Sequence, residues 1–248
     1  MTKPKLSIII PTLNEEEGIA KVICSIPDKI RKQAEVIVID ASDDFTPIIA
    51  ERLGARVIKA KRKGKGRQMR EAAESSNGEI LIFLDGDGTD PAGYIPKLLE
   101  KLEGAELALA CRSMKEFKMD DKKMRRIFKF YGVFMQNIFR LIGFEAADPL
   151  AGFRAIRRKD WDKLKLESND FKIETEINIK AMKLGWTIRE IAIPHLKRCG
   201  GGLKASKLAF NPQQYFEISK IFLKHFKEEK IEIKIKKLEE KIRLIFKN

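Results

Sequence analysis

The feature that most constrains the fold is an apolar run, Glu79-Ile80-Leu81-Ile82-Phe83-Leu84, that ends in Asp85-Gly86-Asp87. A continuous apolar run of this length predicts a buried strand. Two carboxylates spaced two apart at the end of extended chain lie on the same side of it. They repel each other unless a cation sits between them. A hard divalent cation such as Mg²⁺ takes oxygen ligands and commonly keeps phosphate oxygens in its shell. The pair therefore reads as a metal–diphosphate site at the carboxyl edge of a sheet. A solvated turn built on Gly86 and Gly88 is the alternative.

The flanking segments have the same rhythm. Lys5–Ile10 is a short strand broken by Pro11, and Asn14 can cap a helix that opens with Glu15-Glu16-Glu17, acids suited to the positive end of the helix dipole. Glu35–Ile39 is a strand ending at Asp40. Thr46–Leu53 is a helix closed by Gly54, and Ala55–Ala60 is a third strand. The basic loop Lys61-Arg62-Lys63-Gly64-Lys65-Gly66-Arg67 leads into a helix ending at Ser76. After the fourth strand come a helix over Pro91–Glu103 and a strand over Glu106–Cys111. Such alternation predicts an α/β fold with a mostly parallel central sheet and helices on both faces. Ligands of these sheets bind outside the carboxyl ends of the strands. Asp40, the Gly64-Lys65-Gly66 loop, Asp85 and Asp87 all fall at such ends.

Bulk composition narrows the class further. A chain of 248 residues supports one large domain, and 44% apolar with 35% charged residues indicates a globular rather than a disordered protein. Fifty basic against 36 acidic residues leave a net charge of +14. That field attracts nucleic acid, anionic lipid or phosphorylated small molecules without choosing among them. Cys24, Cys111 and Cys199 are odd in number and scattered; they fit a reducing compartment and neither a disulfide framework nor a zinc site. Met1–Lys5 leads directly into the first strand without a signal-peptide pattern, and no apolar stretch reaches the length of a membrane span. The expectation is a cytoplasmic protein; its place as peripheral on the cytoplasmic membrane face rests on the basic helix and the resemblance given below.

The second half changes character. Lys122–Phe144 has helical spacing of Met124, Ile127, Phe128, Tyr131, Phe134, Met135, Ile138 and Leu141, with six basic residues and no acid. A basic, aromatic-rich amphipathic helix can lie in a membrane interface; a core-facing helix with its basic residues in water is the alternative. In the tail, Ile231, Ile235, Leu238, Ile242 and Ile245 follow four-three spacing like a short coiled-coil seam. This predicts packing on the body, or self-association through the C-terminal helix.

Taken in order, these motifs resemble the family-2 inverting glycosyltransferases of GT-A fold, and within them the dolichyl-phosphate mannose or glucose synthases. The similarity runs from about Leu6 to Lys207. It is carried by Pro11-Thr12-Leu13-Asn14-Glu15, Asp40-Ala41-Ser42-Asp43-Asp44-Phe45-Thr46, Gly64-Lys65-Gly66, Asp85-Gly86-Asp87-Gly88-Thr89-Asp90-Pro91, Asp148-Pro149-Leu150-Ala151-Gly152-Phe153-Arg154, Glu174-Thr175-Glu176 and a late Arg198…Ser206-Lys207. The chain departs from the pattern at Ile39, Phe45, Thr89 and Ala151, where an acid, Gly, Gln and Ser are usual.

The resemblance implies a nucleotide-sugar donor held by Pro11, Asn14, Glu15, Asp40, Gly64, Lys65, Asp85, Gly86 and Arg198, with Asp40 at the nucleoside and Arg198 on the phosphates. It implies Mg²⁺ or Mn²⁺ on Asp85 and Asp87, with Asp87 the main ligand, and catalytic roles for Asp87 and Asp148. It also implies a domain over 1–223, with a nucleotide-binding part at 1–115 and an acceptor part at 116–223, followed by a charged amphipathic helix at 224–248.

Negative charge would develop on the leaving diphosphate, where a cation and Arg198 stabilise it. A hydroxyl acceptor needs a carboxylate base. A phosphate monoester, with a second pKa of about 6, does not. Arg112, Arg126 and Arg140 would hold such an acceptor phosphate, and a polyprenyl phosphate at an anionic membrane surface accounts for the basic helix. Asp148 would be a base for a hydroxyl acceptor, or would orient Arg154 or the sugar. His195 is read either as a metal ligand or as structural. Three other readings compete: a soluble phosphorylated or glycan acceptor, a basic nucleic-acid-binding protein, and an inactive scaffold. The nucleic-acid reading leaves Asp40, Asp85 and Asp87 unexplained and finds no recognised motif, so no nucleic-acid partner is expected.

Overall fold

A computed structural model of the chain describes residues 5–112, 122–141, 143–200 and 220. Its strands are β1 (Leu6–Thr12), β2 (Ala34–Asp40), β3 (Arg56–Lys59), β4 (Ile80–Phe83), β5 (Leu107–Arg112), β6 (Arg154–Arg157) and β7 (Ile188–Ile193). They form one seven-stranded sheet in the order β3-β2-β1-β4-β6-β5-β7. Every neighbouring pair is parallel except those of β6, which runs antiparallel to both β4 and β5. The other six strands therefore all point their carboxyl ends to one edge.

The apolar runs are continuous because the strands are covered on both faces. Ile8, Ile10, Val36, Val38 and Ile82 pack with α1 (Ile19–Cys24), α2 (Asp28–Arg31), α3 (Thr46–Arg52) and α5 (Ile95–Leu102). Ile9, Ile37, Ile39, Leu81 and Phe83 pack on the other side with α4 (Lys65–Ser75), α6 (Lys122–Leu141), α7 (Arg158–Leu164) and α8 (Ile173–Lys183). Alternate residues of one strand thus feed two cores. Each buried Ile or Phe contributes about 1.5–3 kcal/mol relative to exposure.

Several boundaries differ from the sequence reading. β1 continues through Pro11 to Thr12. The β1–β4 register ends at Ile9↔Phe83, so the ladder on that side stops before the missing Pro11 N–H is reached. Asn14 does not cap a helix at Glu15; α1 begins at Ile19. Asn14 sits instead in the left-handed region, at φ 54°, a conformation that Asn tolerates better than most residues. Its N–H donates to Ser42 Oγ at 2.7 Å and its Oδ1 accepts the Asp43 N–H at 2.9 Å, tying the loop after β1 to the loop after β2. The helix expected over Pro91–Glu103 divides into a 3₁₀ turn, Ala92–Tyr94, and α5. The tail helix, Ser206-Lys207 and the boundary at 223 lie outside the described residues. Among the described residues no helix is long and apolar enough to cross a membrane.

Glu176, buried in the first turn of α8, anchors the segment before it. Its carboxylate accepts the N–H groups of Glu167 (3.0 Å) and Ser168 (2.7 Å) and pairs with Lys180 at 2.7 Å. Burial alone would raise its pKa, but these partners hold it below the ordinary 4.5. A depressed carboxylate stabilises the fold above the unfolded pKa, and this contribution is lost as pH falls below about 4.5. Glu176→Gln is expected to cost about 1–3 kcal/mol near neutral pH and to flatten the acid limb of stability. Urea midpoints at neutral and acid pH measure both effects. An acid limb as steep as wild type would contradict this account.

Candidate active site

The carboxyl edge gathers residues from seven places in the chain. Leu13–Glu15 follow β1, Asp40 ends β2, and Gly64-Lys65 open α4. Asp85–Asp90 follow β4, Arg112 ends β5, and His195–Arg198 follow β7. Because β6 is antiparallel, the Asp148–Gly152 segment before it arrives at the same edge. The order reverses between β1 and β4, with β2 and β3 laid to one side and β4 onward to the other. That crevice is where open α/β sheets bind ligands.

At the β2 end, Asp40 is buried and accepts Thr12 Oγ1 at 2.7 Å, Ser42 Oγ at 2.6 Å and the Ser42 N–H at 3.1 Å. Gln68 of α4 donates its amide to the carbonyls of Thr12 and Ile39, both at 2.8 Å, and clamps the ends of β1 and β2. Gln68 was not read from the sequence. Its only signal was its place one helical turn after Lys65.

Lys65 is the centre of the next cluster. Its Nζ lies 2.6 Å from Asp85 Oδ1 and 2.6 Å from Glu174 Oε1. Burial would lower the ammonium pKa, but the charges of Asp85 and Glu174 more than reverse that and raise it. Burial likewise opposes ionisation of Asp85, and Lys65, with Arg112 and Arg198 behind it, holds its pKa below the ordinary value. Glu174 lies on α8, and its near neighbour Glu176 turns away to Glu167 and Ser168.

Gly152 faces this ion pair. A Cβ there would meet Asp85 Oδ2 at 2.7 Å and Lys65 Nζ at 3.0 Å. Gly152→Ala is expected to cost about 1–3 kcal/mol through overpacking and to lower activity more than stability. Melting curves together with a transfer assay check this, and an alanine variant with wild-type activity would contradict it.

The aspartates do not share one side of a strand as expected. β4 ends at Phe83, and both residues lie on the turn beyond it. Asp85 turns to Lys65. Asp87 Oδ1 accepts the Thr89 hydroxyl at 2.6 Å and the Thr89 N–H at 3.0 Å, while Asp87 Oδ2 lies 2.5 Å from Arg198. Thr89, which departs from the family pattern, thus orients Asp87. Gly86 packs against Thr12 and Glu15. Asp90 is buried and accepts the Asp85 N–H at 3.0 Å; burial, then the Asp85 charge, push its pKa up to about 7.

Arg112 pairs with Asp148 at 2.7 Å. Burial would lower the guanidinium pKa, and Asp148, Asp90 and Asp85 raise it instead. Asp148 therefore does not orient Arg154. That residue is fully buried and donates to Ala151 O and to Asn178 Oδ1. Arg126 and Arg140 are exposed on α6, and among the described residues neither makes an ion pair. The structure does not gather the three arginines into one cluster. His195 is buried; burial, then the Arg112 charge, lower its pKa to about 4, against the pull of Asp87 and Asp148. The imidazole is neutral near pH 7, the form that binds metals.

Asp85 and Asp87 offer the carboxylate oxygens that a hard divalent cation takes. Among the described residues no three or more His, Cys, Asp or Glu side chains converge as a ready cage. Two carboxylates suit a cation that completes its shell with phosphate oxygens and water.

A mostly parallel sheet with a carboxylate turn at its switch point is the architecture of a GT-A glycosyltransferase. Residues 7–164 match the sequence profile of glycosyl transferase family 2, and the chain belongs to that family. It is 30% identical over 197 residues to the dolichyl-phosphate hexose transferase of Haloferax volcanii, covering 79% of this chain and 84% of that one. It is 29% identical over 185 residues to the dolichol-phosphate mannosyltransferase of Pyrococcus furiosus, covering 71% of this chain and 53% of that one. The chain thus spans about half the length of the second relative. The glucosyl-3-phosphoglycerate synthase of Mycobacterium tuberculosis, crystallised with Mn²⁺, UDP and phosphoglyceric acid, shares the fold at a TM-score of 0.69 and 23% identity, covering 90% of this chain and 78% of that one.

Proposed function

We propose that this glycosyltransferase moves a hexose from GDP-mannose or UDP-glucose to a polyprenyl phosphate, with inversion, at a membrane surface. Residues 1–115 would form most of the donor site and residues 116–223 most of the acceptor site, with Arg112 reaching to the acceptor and Arg198 reaching back to the donor diphosphate. Asp87 and Asp85 would carry Mg²⁺ or Mn²⁺, and when bound that cation would supply positive charge to the leaving diphosphate. Arg198 lies within reach of the same charge, and Lys65 keeps Asp85 ionised. Asp40 and the Asn14–Ser42 turn form a hydrogen-bonding floor for the nucleoside.

The observation that carries the acceptor class is the Arg112–Asp148 pair. Asp148 is buried, with Oδ2 held by the Arg112 guanidinium at 2.7 Å and Oδ1 accepting the Leu150 N–H at 3.2 Å, so both its oxygens are already engaged. A phosphate monoester arrives already ionised and needs a cation rather than a base. Arg112 supplies one at the end of β5. Two further observations favour a lipid phosphate over a soluble one. The H. volcanii and P. furiosus relatives are named for dolichyl or dolichol phosphate. The acid-free α6 exposes Phe130, Val133 and Leu141 together with Arg126 and Arg140, an apolar and basic surface suited to anionic lipid.

The test offers polyprenyl phosphate in detergent and a soluble phosphomonoester, separately, with each donor. Transfer to the lipid alone supports the reading. Transfer to the soluble acceptor alone replaces it with a soluble-acceptor enzyme.

A further inference from the structure

We infer that Glu15 is a positioning residue for Arg198, and that the Arg198 guanidinium occupies Asp87 until a divalent cation displaces it. This rests on the reading of Asp87 as a metal ligand. The resemblance implies a donor-holding role for Glu15; in the structure its carboxylate accepts from Arg198.

One guanidinium bridges two carboxylates from separate strand ends. Arg198 Nη2 lies 2.7 and 2.5 Å from the two oxygens of Glu15, and Nη1 lies 2.5 Å from Asp87 Oδ2. The backbone joins in: the Cys199 N–H donates to the Asp87 carbonyl at 2.9 Å. Cys199 Sγ faces Gly88, where an added Cβ would meet it at 2.9 Å. Residues 198 and 199 are thereby fastened over the 85–89 turn.

Thr89 engages one oxygen of Asp87 and Arg198 the other. A hard cation needs an anionic oxygen, and a guanidinium and a divalent cation on the same oxygen repel each other. Cation binding therefore requires Arg198 to leave Asp87. Both Glu15 oxygens accept from Nη2, a charge-assisted contact that keeps the displaced Arg198 beside the crevice. The positive charge that leaves Asp87 is then available to the donor diphosphate. Metal and donor are coupled through one arginine, and a coupling of this kind is reciprocal in binding energy.

The test uses Cys199 as a reporter in Cys24→Ser protein. Cys24 is exposed and Cys111 is buried, with its thiol pushed up by burial and by Asp148 and Glu190, so Cys199 is the thiol that responds. Mn²⁺ affinity is measured by calorimetry without nucleotide, and Cys199 alkylation is timed in parallel. Mn²⁺ is expected to accelerate alkylation with a midpoint equal to its Kd. Arg198→Ala should alkylate fast without metal, show no Mn²⁺ response, and bind Mn²⁺ at least about fivefold more tightly, the lower end of ordinary coupling. Glu15→Gln should also tighten Mn²⁺ binding, whereas loss of a negative charge acting only through space would weaken it. An unchanged metal-free rate in Arg198→Ala, or weaker Mn²⁺ binding in Glu15→Gln, overturns the proposal. If neither wild type nor Arg198→Ala binds Mn²⁺, with or without nucleoside diphosphate, the metal reading fails and the exchange fails with it. The metal-free alkylation rates still decide whether Arg198 fastens the segment.

Discussion

Lys65→Met protein is expected to melt roughly 6–20 °C below wild type, from a loss of about 3–5 kcal/mol. The lysine is the shared counterion of Asp85 and Glu174. Glu174 is the costlier of the two to strand. Its side chain is 5% exposed against 27% for Asp85, and its Oε2 has no hydrogen-bond partner among the described residues. Water can reach Asp85 when the lysine goes, but Glu174 would be left as a buried, uncompensated charge. Lys65→Met combined with Glu174→Gln should therefore recover much of the loss, since the double variant removes both members of the pair. A double-mutant cycle on melting or urea midpoints measures the coupling, expected between about 0.5 and 3 kcal/mol for contacting residues. Additive losses would mean that the lysine contributes by packing alone.

Asp87→Asn should lower the transfer rate by about 10²–10³, the usual consequence of removing one electrostatic stabiliser of a developing charge. The substitution keeps the size and an oxygen for Thr89, but loses the charge that Arg198 pairs with and that a cation would need. The fold should scarcely notice, because the residue lies on a turn beyond β4 and outside both cores. Unchanged melting with collapsed transfer is the expected pair of results. An Asp87→Asn enzyme within a few-fold of wild-type rate would remove this residue from the chemistry.

How legible the protein was in its sequence depended on how local each cause is. β1, β2, β4 and β5 were visible because burial on both faces writes an uninterrupted apolar run. β6 was not: Arg154-Ala155-Ile156-Arg157 begins and ends in charge, and nothing nearby announces that Arg154 is fully buried against Ala151 and Asn178. The antiparallel strand was missed for that reason. The site positions were legible as strand ends, but their pairings were not. Asp85 with Lys65 and Glu174, Asp87 with Arg198 and Glu15, and Arg112 with Asp148 each join segments far apart in sequence. The geometry of Asp85 and Asp87 was misread because the strand stops at Phe83 and the turn sends the two carboxylates to different cations. Helical spacing on α6 picked out Met135 and Ile138, which are core, together with Leu141, which is exposed. Periodicity alone does not say where a helix outruns the surface that covers it.

The central claim is metal-dependent transfer of a hexose to a lipid phosphate, and one assay tests it most directly. Wild-type and Asp87→Asn proteins would each be incubated with GDP-mannose or UDP-glucose, Mg²⁺ or Mn²⁺, and dolichyl phosphate in detergent, and the lipid-linked product measured. The account predicts a glycosylated lipid phosphate with inverted anomeric configuration, formed by the wild type, abolished by chelation and nearly lost in Asp87→Asn. Nucleotide-sugar binding with no lipid product from either donor, and ready glycosylation of a soluble phosphomonoester by the same protein, would contradict it.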